Sequence, residues 1–368
     1  MPTPQTVFVL QGGGALGAYQ GGACQGLLEG GIRADWIVGT SIGAINGAIL
    51  AGNPPERRME KLRAFWQRVT RDAPATFPFF GTLDWFRPWR EAAGKWETLT
   101  QGVPGFFAPR GGDIWNINQP VAPDQTGFYD TSPLEATLND LVDFKYLNAR
   151  HVRLTVSAVD VATGELTKFD NTTHTLTARH IMASGALPPG FPPVAVDGRI
   201  YWDGGIYSNT PIDIVLDDVE RRNTLCFMID LWDPTEEVPA SIAQVLARQK
   251  DIQYASRSTE HLDDHTRAQN LRRAIQILSA RLPEKERKLP EVKKLMAMGC
   301  ESTINIVRLI MKALPEDDQS KDIDFSSTAL TTRWQAGLVD AGRVLAQRGW
   351  LKQPPAHIGM VVHELSQE

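Results

Sequence analysis

The sequence has few cysteines, no excess of positive charge and no long apolar run, and each lack narrows what the chain can be. Its 3 cysteines among 368 residues, Cys24, Cys226 and Cys300, lie far apart and form no CxxC pair. Neither a disulfide framework nor a thiolate metal site is indicated, and buried free thiols in a reducing compartment are expected. The formal net charge is −5 and no basic stripe stands out, which argues against nucleic acid as a partner. No segment approaches the roughly 20 apolar residues of a membrane span, and the first residues lack the charged start and apolar stretch of a secretory leader. The expectation is a cytoplasmic protein whose contact with lipid, if any, is peripheral at the membrane. A hydrophobic content of 42% and a charged content of 22% are those of a soluble globular chain, with length for one large domain or two ordinary ones.

What the sequence does have is two glycine-rich turns within its first fifty residues. Gln11-Gly12-Gly13-Gly14-Ala15-Leu16-Gly17 follows the apolar run Val7–Leu10. Gly39-Thr40-Ser41-Ile42-Gly43 follows Trp36-Ile37-Val38. Each leads into a segment of helical composition, over about 15–28 and 43–50, so the opening reads as strand, tight turn, helix, twice over. Alternation of this kind predicts an α/β fold with a mainly parallel sheet, whose sites lie at the carboxyl ends of the strands. In the second turn a serine stands two residues from a glycine on either side. Gly-x-Ser-x-Gly between strand and helix is the pattern of a nucleophile elbow, which leaves Ser41 Oγ exposed at a helix N-terminus. The alternative is a small-residue turn with a capping serine. Bare glycine amides in the first turn can face a developing oxyanion. Gly12, Gly14 and Gly17 also fit Gly-x-Gly-x-x-Gly. A dinucleotide site, however, wants an acidic residue at the end of the second strand, where Gly39-Thr40-Ser41 stands instead, and Asp35 comes too early.

Further along, 56–67 predicts an amphipathic helix. Pro74 to Trp115 is rich in proline, glycine and aromatics, consistent with an aromatic mini-core over the sheet or, alternatively, with a lid or acyl-chain wall. A helix is expected from Pro133 to Leu141, strands over 152–159 and 166–169, and a proline-broken helix over 181–193. The brief strand Ile200-Tyr201-Trp202 runs directly into Asp203-Gly204-Gly205. A carboxylate at a strand end before two glycines suits a functional site, although Asp-Gly turns are common. After the strand 225–231 the pattern becomes helical and charged over about 241–282. A charge run over 284–288 that reads as a solvated linker or helix end, a helix from Pro290 to Gly299, a strand over 304–310 positioned to join the main sheet, and a helix over 329–347 capped at Gly349 complete the chain.

Glycine loop, serine elbow, Ala183-Ser184-Gly185-Ala186-Leu187-Pro188 and Asp203-Gly204-Gly205, in that order, resemble the motifs of the patatin-like phospholipases over about residues 6–215. The resemblance implies a three-layer α/β/α sandwich, a catalytic domain over 6–233 with an aromatic insertion at about 72–128, and a mostly helical C-terminal region over 234–368. It also implies a serine acyl-ester hydrolase acting on lipid or another acyl ester, without cofactor or metal. Ser41 is then the nucleophile, Asp203 the base that takes its proton, and Gly12, Gly13 and Gly14 the oxyanion loop. One departure stands out: many members carry Arg or Lys where this chain has Leu16, which weakens the case for phospholipid relative to neutral esters or lysolipids. A histidine triad through His357 or His363 is a distant alternative, since no motif surrounds either. A non-catalytic, lipid-binding or scaffold member is the alternative of a different class.

Overall fold

In the computed structural model the residues described are 4–71, 98, 100–111, 120–235, 238–314, 317–352 and 354–364. Most of the aromatic stretch between Pro74 and Trp115 lies outside them. The chain starts with strand β1 (Gln5–Leu10), turns through the glycine loop into helix α1 (Gly17–Glu29), and returns as β2 (Trp36–Gly39). The serine turn then opens α2 (Ile42–Ala51), and Pro54-Pro55 starts α3 (Pro55–Arg68). A short antiparallel pair, β3 (Ala108–Pro109) and β4 (Tyr129–Asp130), precedes α4 (Ser132–Leu141) and α5 (Phe144–Asn148). Strands β5 (Arg153–Asp160) and β6 (Leu166–Asp170) form a hairpin. Helix α6 (Ala178–Ser184), strands β7 (Val194–Val196) and β8 (Arg199–Asp203), helix α7 (Ile212–Leu216) and strand β9 (Thr224–Asp230) follow. Then come α8 (Ile242–Arg281), α9 (Glu284–Arg287), α10 (Pro290–Met298), β10 (Ile304–Ile310), α11 (Ser327–Gln347) and β11 (Met360–Glu364).

The main sheet has the order β11-β10-β9-β1-β2-β5-β8-β7, with β6 paired to the other side of β5. From β11 to β5 every neighbour is parallel; β6, β7 and β8 add antiparallel pairs. Side chains alternate across the sheet, and its two faces bury two cores. Phe8, Leu10, Ile37, Phe227 and Ile229 pack with α1, α2, α3 and α11 on one face. Val7, Val9, Trp36, Val38, Cys226 and Met228 pack with α7 and Leu262 of α8 on the other. The result is a mixed, mainly parallel sheet between two helical layers, with a C-terminal region that is mostly helical. That region also supplies β10 and β11, and its helix α11 lies along α1. Contact between those two helices is close enough that a Cβ on Gly22 would sit 1.8 Å from the Trp334 carbonyl oxygen.

Chain direction across the sheet reverses at β1, whose neighbours are β2 and β9. Crevices at such switch points receive ligands, and the glycine loop leaves β1 there. Several details differ from the sequence expectation. Strands β7 and β11 and helix α7 are too short for a periodic signal, and the left-handed cap of α11 is Arg348 (φ 42°) rather than Gly349. All three cysteines are free and buried.

Candidate active site

Strand register explains how residues 162 positions apart become neighbours. Strand β2 runs along one edge of β5 until Gly39, which lies beside Val156. From the opposite direction β8 runs along the same edge until Asp203, which lies beside Ala158. The two strands therefore meet end to end, and each chain must turn away at the junction. Beneath it Ser157 Oγ bonds Thr40 Oγ1 at 2.7 Å.

The turn at Ser41 is tight. Its φ and ψ of 56° and −124° lie outside the regions open to ordinary side chains. Close approach on its far side requires glycine at 43, where a Cβ would sit 2.2 Å from the Leu10 carbonyl oxygen. Helix α2 begins at the next residue and directs its positive end at the hydroxyl. The Ser41 amide donates to both the carbonyl and the hydroxyl oxygen of Ser184, at 3.1 and 3.0 Å. Two residues on, the Ala186 carbonyl accepts from the Asp203 amide at 3.0 Å. One short segment at the end of α6 thus stitches the serine turn to the carboxylate.

Asp203 is 2% exposed. Burial pushes its carboxyl up to about 7, against the opposing pull of the Gly205 amide, 2.7 Å away, and of the Ser41 hydroxyl, which lies within hydrogen-bonding reach. No cation is paired with it among the described residues.

The glycine loop is held from behind. The Gly12 carbonyl accepts from Trp232 Nε1 at 2.8 Å and from Asn209 Nδ2 at 3.0 Å. Across a trans peptide the next N–H points the opposite way, so the Gly13 amide faces away from these partners. Among the described residues the Gly13 and Gly14 amides meet no protein acceptor. Gly12 departs from the expectation that all three glycines donate, because its amide is spent on the Asn209 carbonyl at 3.1 Å. Gln11 fixes the start of the loop, taking the Leu231 and Trp232 amides at 2.5 and 3.2 Å and donating to Thr210 Oγ1 at 2.7 Å. These anchors come from loops far along the chain and carry no local motif.

Ser41, Asp203 and the loop open onto a cavity of about 400 Å³. Phe106, Phe107, Phe191 and Phe325 make one aromatic wall, with successive ring centroids 5.1–6.0 Å apart. Asn209, Trp232, Tyr254 and Asp322 also border it. None of the seven histidines does: His261 and His265 pair with Asp213, His357 is exposed, and His363 lies on β11. Asp35 accepts the Thr6 amide at 2.8 Å instead of facing the loop. Leu16 is fully buried in the core and does not border the cavity. Among the described residues no cluster of three metal-ligating side chains forms, and no helix is long and apolar enough to cross a membrane.

Comparison with known proteins places this geometry in a family context. Residues 8–216 match the family model described as patatin-like phospholipase, and residues 252–357 match a second, described as patatin phospholipase. The patatin-like phospholipase domain-containing protein M110.7 of Caenorhabditis elegans is 36% identical over 84 residues, a match that spans 21% of this chain and only 8% of that protein. Among solved structures, VipD from Legionella pneumophila aligns with a TM-score of 0.38 at 15% identity, covering 94% of this chain and 67% of that one. Human GIVD cytosolic phospholipase A2 aligns with a TM-score of 0.35 at 12% identity, covering 95% and 59%.

Proposed function

Since the chain belongs to the patatin-like phospholipase family, we propose that it is a serine acyl-ester hydrolase working through Ser41 and Asp203. The observation that carries this reading is the strained serine turn facing a buried carboxylate that lacks a cation. A carboxylate held near 7 is a competent base at neutral pH, whereas one at its ordinary value is too weak. In the reaction, Ser41 Oγ attacks the ester carbonyl and its proton passes to Asp203. Amides of Gly13 and Gly14 receive the oxyanion, and the loss of one such donor typically costs about 3 kcal/mol of barrier. As the intermediate collapses, the proton leaves with the alcohol. Water then attacks the acyl-enzyme, giving its proton to Asp203, and the acid departs as Ser41 recovers a proton. The aromatic wall suits an acyl chain.

Reaction with a fluorophosphonate followed by peptide mass mapping tests the proposal. A single adduct at Ser41, lost in Ser41→Ala and strongly slowed in Asp203→Asn, together with hydrolysis of p-nitrophenyl butyrate, is the expected outcome. Folded protein that takes no label and cleaves no ester would instead identify a non-catalytic, lipid-binding or scaffold member.

A further inference from the structure

Taking the hydrolase reading as its basis, we infer that the alcohol half of the substrate is uncharged and hydroxyl-bearing, as in a glycerol ester, and is held by Tyr254 and Asp322. Among the described residues bordering the cavity there are two carboxylates, Asp203 and Asp322, and no lysine, arginine or histidine. The nearby cations are committed elsewhere. Lys250 Nζ is 2.5 Å from Asp322 Oδ1 and 3.1 Å from the Gln319 carbonyl. Lys321 Nζ is 2.6 Å from Asp251 Oδ1, with both side chains 4% exposed. Among the described residues a phosphodiester placed next to the ester would meet the Asp203 carboxyl and the Lys250-paired Asp322 and find no uncommitted cation, so its charge would lose water without gaining a partner, which is costly.

The same surroundings suit a hydroxyl group. The Asn209 amide is spent on the glycine loop, but the Tyr254 hydroxyl has no protein partner among the described residues, and neither does the second carboxylate oxygen of Asp322. Together they offer one donor and one acceptor, the complement of alcohol hydroxyls. Tyr254 is also held in place: its ring stacks on Trp232 with centroids 4.9 Å apart, and its carbonyl accepts from Gln11 Nε2 at 3.4 Å. Helix α8, from the C-terminal region, thereby reaches the catalytic loop directly.

The test compares 1-oleoylglycerol with 1-oleoyl-lysophosphatidylglycerol, presented to the intact 368-residue chain in the same uncharged detergent micelles. A kcat/KM at least about tenfold higher for the glycerol ester is expected. Tyr254→Phe, which keeps the ring stack, lowers that ratio by weakening the glycerol ester. Asp322→Asn lowers it by removing a negative charge and releasing Lys250, so that lysophospholipid turnover rises. General damage to the fold would slow both substrates and leave the ratio unchanged. Equal or faster cleavage of the lysophospholipid by the unaltered protein, or a ratio unmoved in both variants, overturns this inference and leaves the hydrolase reading intact. Protein inert on both lipids and on p-nitrophenyl butyrate, and unlabelled by fluorophosphonate, removes the hydrolase reading and this inference with it.

Discussion

Asp203→Asn should abolish hydrolysis and yet stabilise the protein, increasingly so at higher pH. The carboxyl of Asp203 is fully enclosed and pushed from its ordinary 3.8 up to about 7. In the unfolded chain it ionises near the ordinary value. Between those two pH values the folded state holds a proton that the unfolded state has released, so stability declines as pH rises from about 4 to about 7. The full difference, about 3 units at about 1.4 kcal/mol each, sets a ceiling of about 4 kcal/mol. Asparagine carries no charge to desolvate, and its Oδ1 can still accept the Gly205 amide while Nδ2 faces Ser41 Oγ. With an unfolding entropy of roughly 0.8 kcal/mol/K for a chain of this size, the ceiling corresponds to a gain of about 5 °C in Tm at about pH 8.5. At about pH 4 both side chains are neutral and the gain falls below about 1 °C. Differential scanning calorimetry of both proteins across that range, alongside an esterase assay, measures it. Equal Tm values throughout, or a destabilised variant at high pH, would refute the assignment of Asp203 as a buried carboxylate kept in place for chemistry.

Three other outcomes follow from the same geometry. For the unaltered protein, kcat/KM on p-nitrophenyl butyrate should fall about tenfold per pH unit below about 7, as the Asp203 carboxylate is protonated; a flat profile from initial rates would contradict its role as base. Ser184→Ala removes one of the two acceptors for the Ser41 amide, and is expected to cost about 1 kcal/mol in urea unfolding and about tenfold in kcat with little change in KM. Gly43→Ala forces α2 away from the Leu10 carbonyl and is expected to lose about 3 kcal/mol or more, seen as loss of soluble protein or a large drop in urea midpoint.

What could be read from the sequence was what local chemistry dictates. The turns at Gly12–Gly17 and Gly39–Gly43 announce themselves because each places small residues between an apolar run and a helical one, and Asp203 because a strand ends on it before two glycines. The strand over 304–310 was legible from its β-branched run. Other features were decided by pairings that no local pattern encodes. That β2 and β8 share one edge of β5 is a matter of register, and without it Ser41 and Asp203 have no reason to meet. Ser184, Asn209, Gln11 and Trp232 act through single hydrogen bonds to backbone groups, for which residue type gives little warning. Occupation of the Gly12 amide by Asn209 was equally hidden, since it depends on a carbonyl 197 residues away. Strand β11 is short and edge-placed, and its five residues show no stronger pattern than many loops.

The division of labour along the chain follows from this contrast. Glycine loop, serine turn and carboxylate lie within the first 203 residues, yet the layer that packs them is unfinished without the C-terminal region. Helix α1 is buried through Leu27 because α11 covers it, and a face with Gly21, Gly22 and Gly26 is shaped for that partner rather than for water. Strand β9 is flanked by β1 on one side and β10 on the other, and the fully buried pair of Asp230 and Arg308, 2.6 Å apart, ties β9 to β10. An unpaired Asp230 would leave an enclosed charge two residues before Trp232 and its bond to Gly12. Residues beyond 240 then supply Tyr254, Asp322 and Phe325 to the cavity. The early segment holds the groups suited to bond cleavage, and the late segment sets much of the shape and charge that a substrate meets on entering.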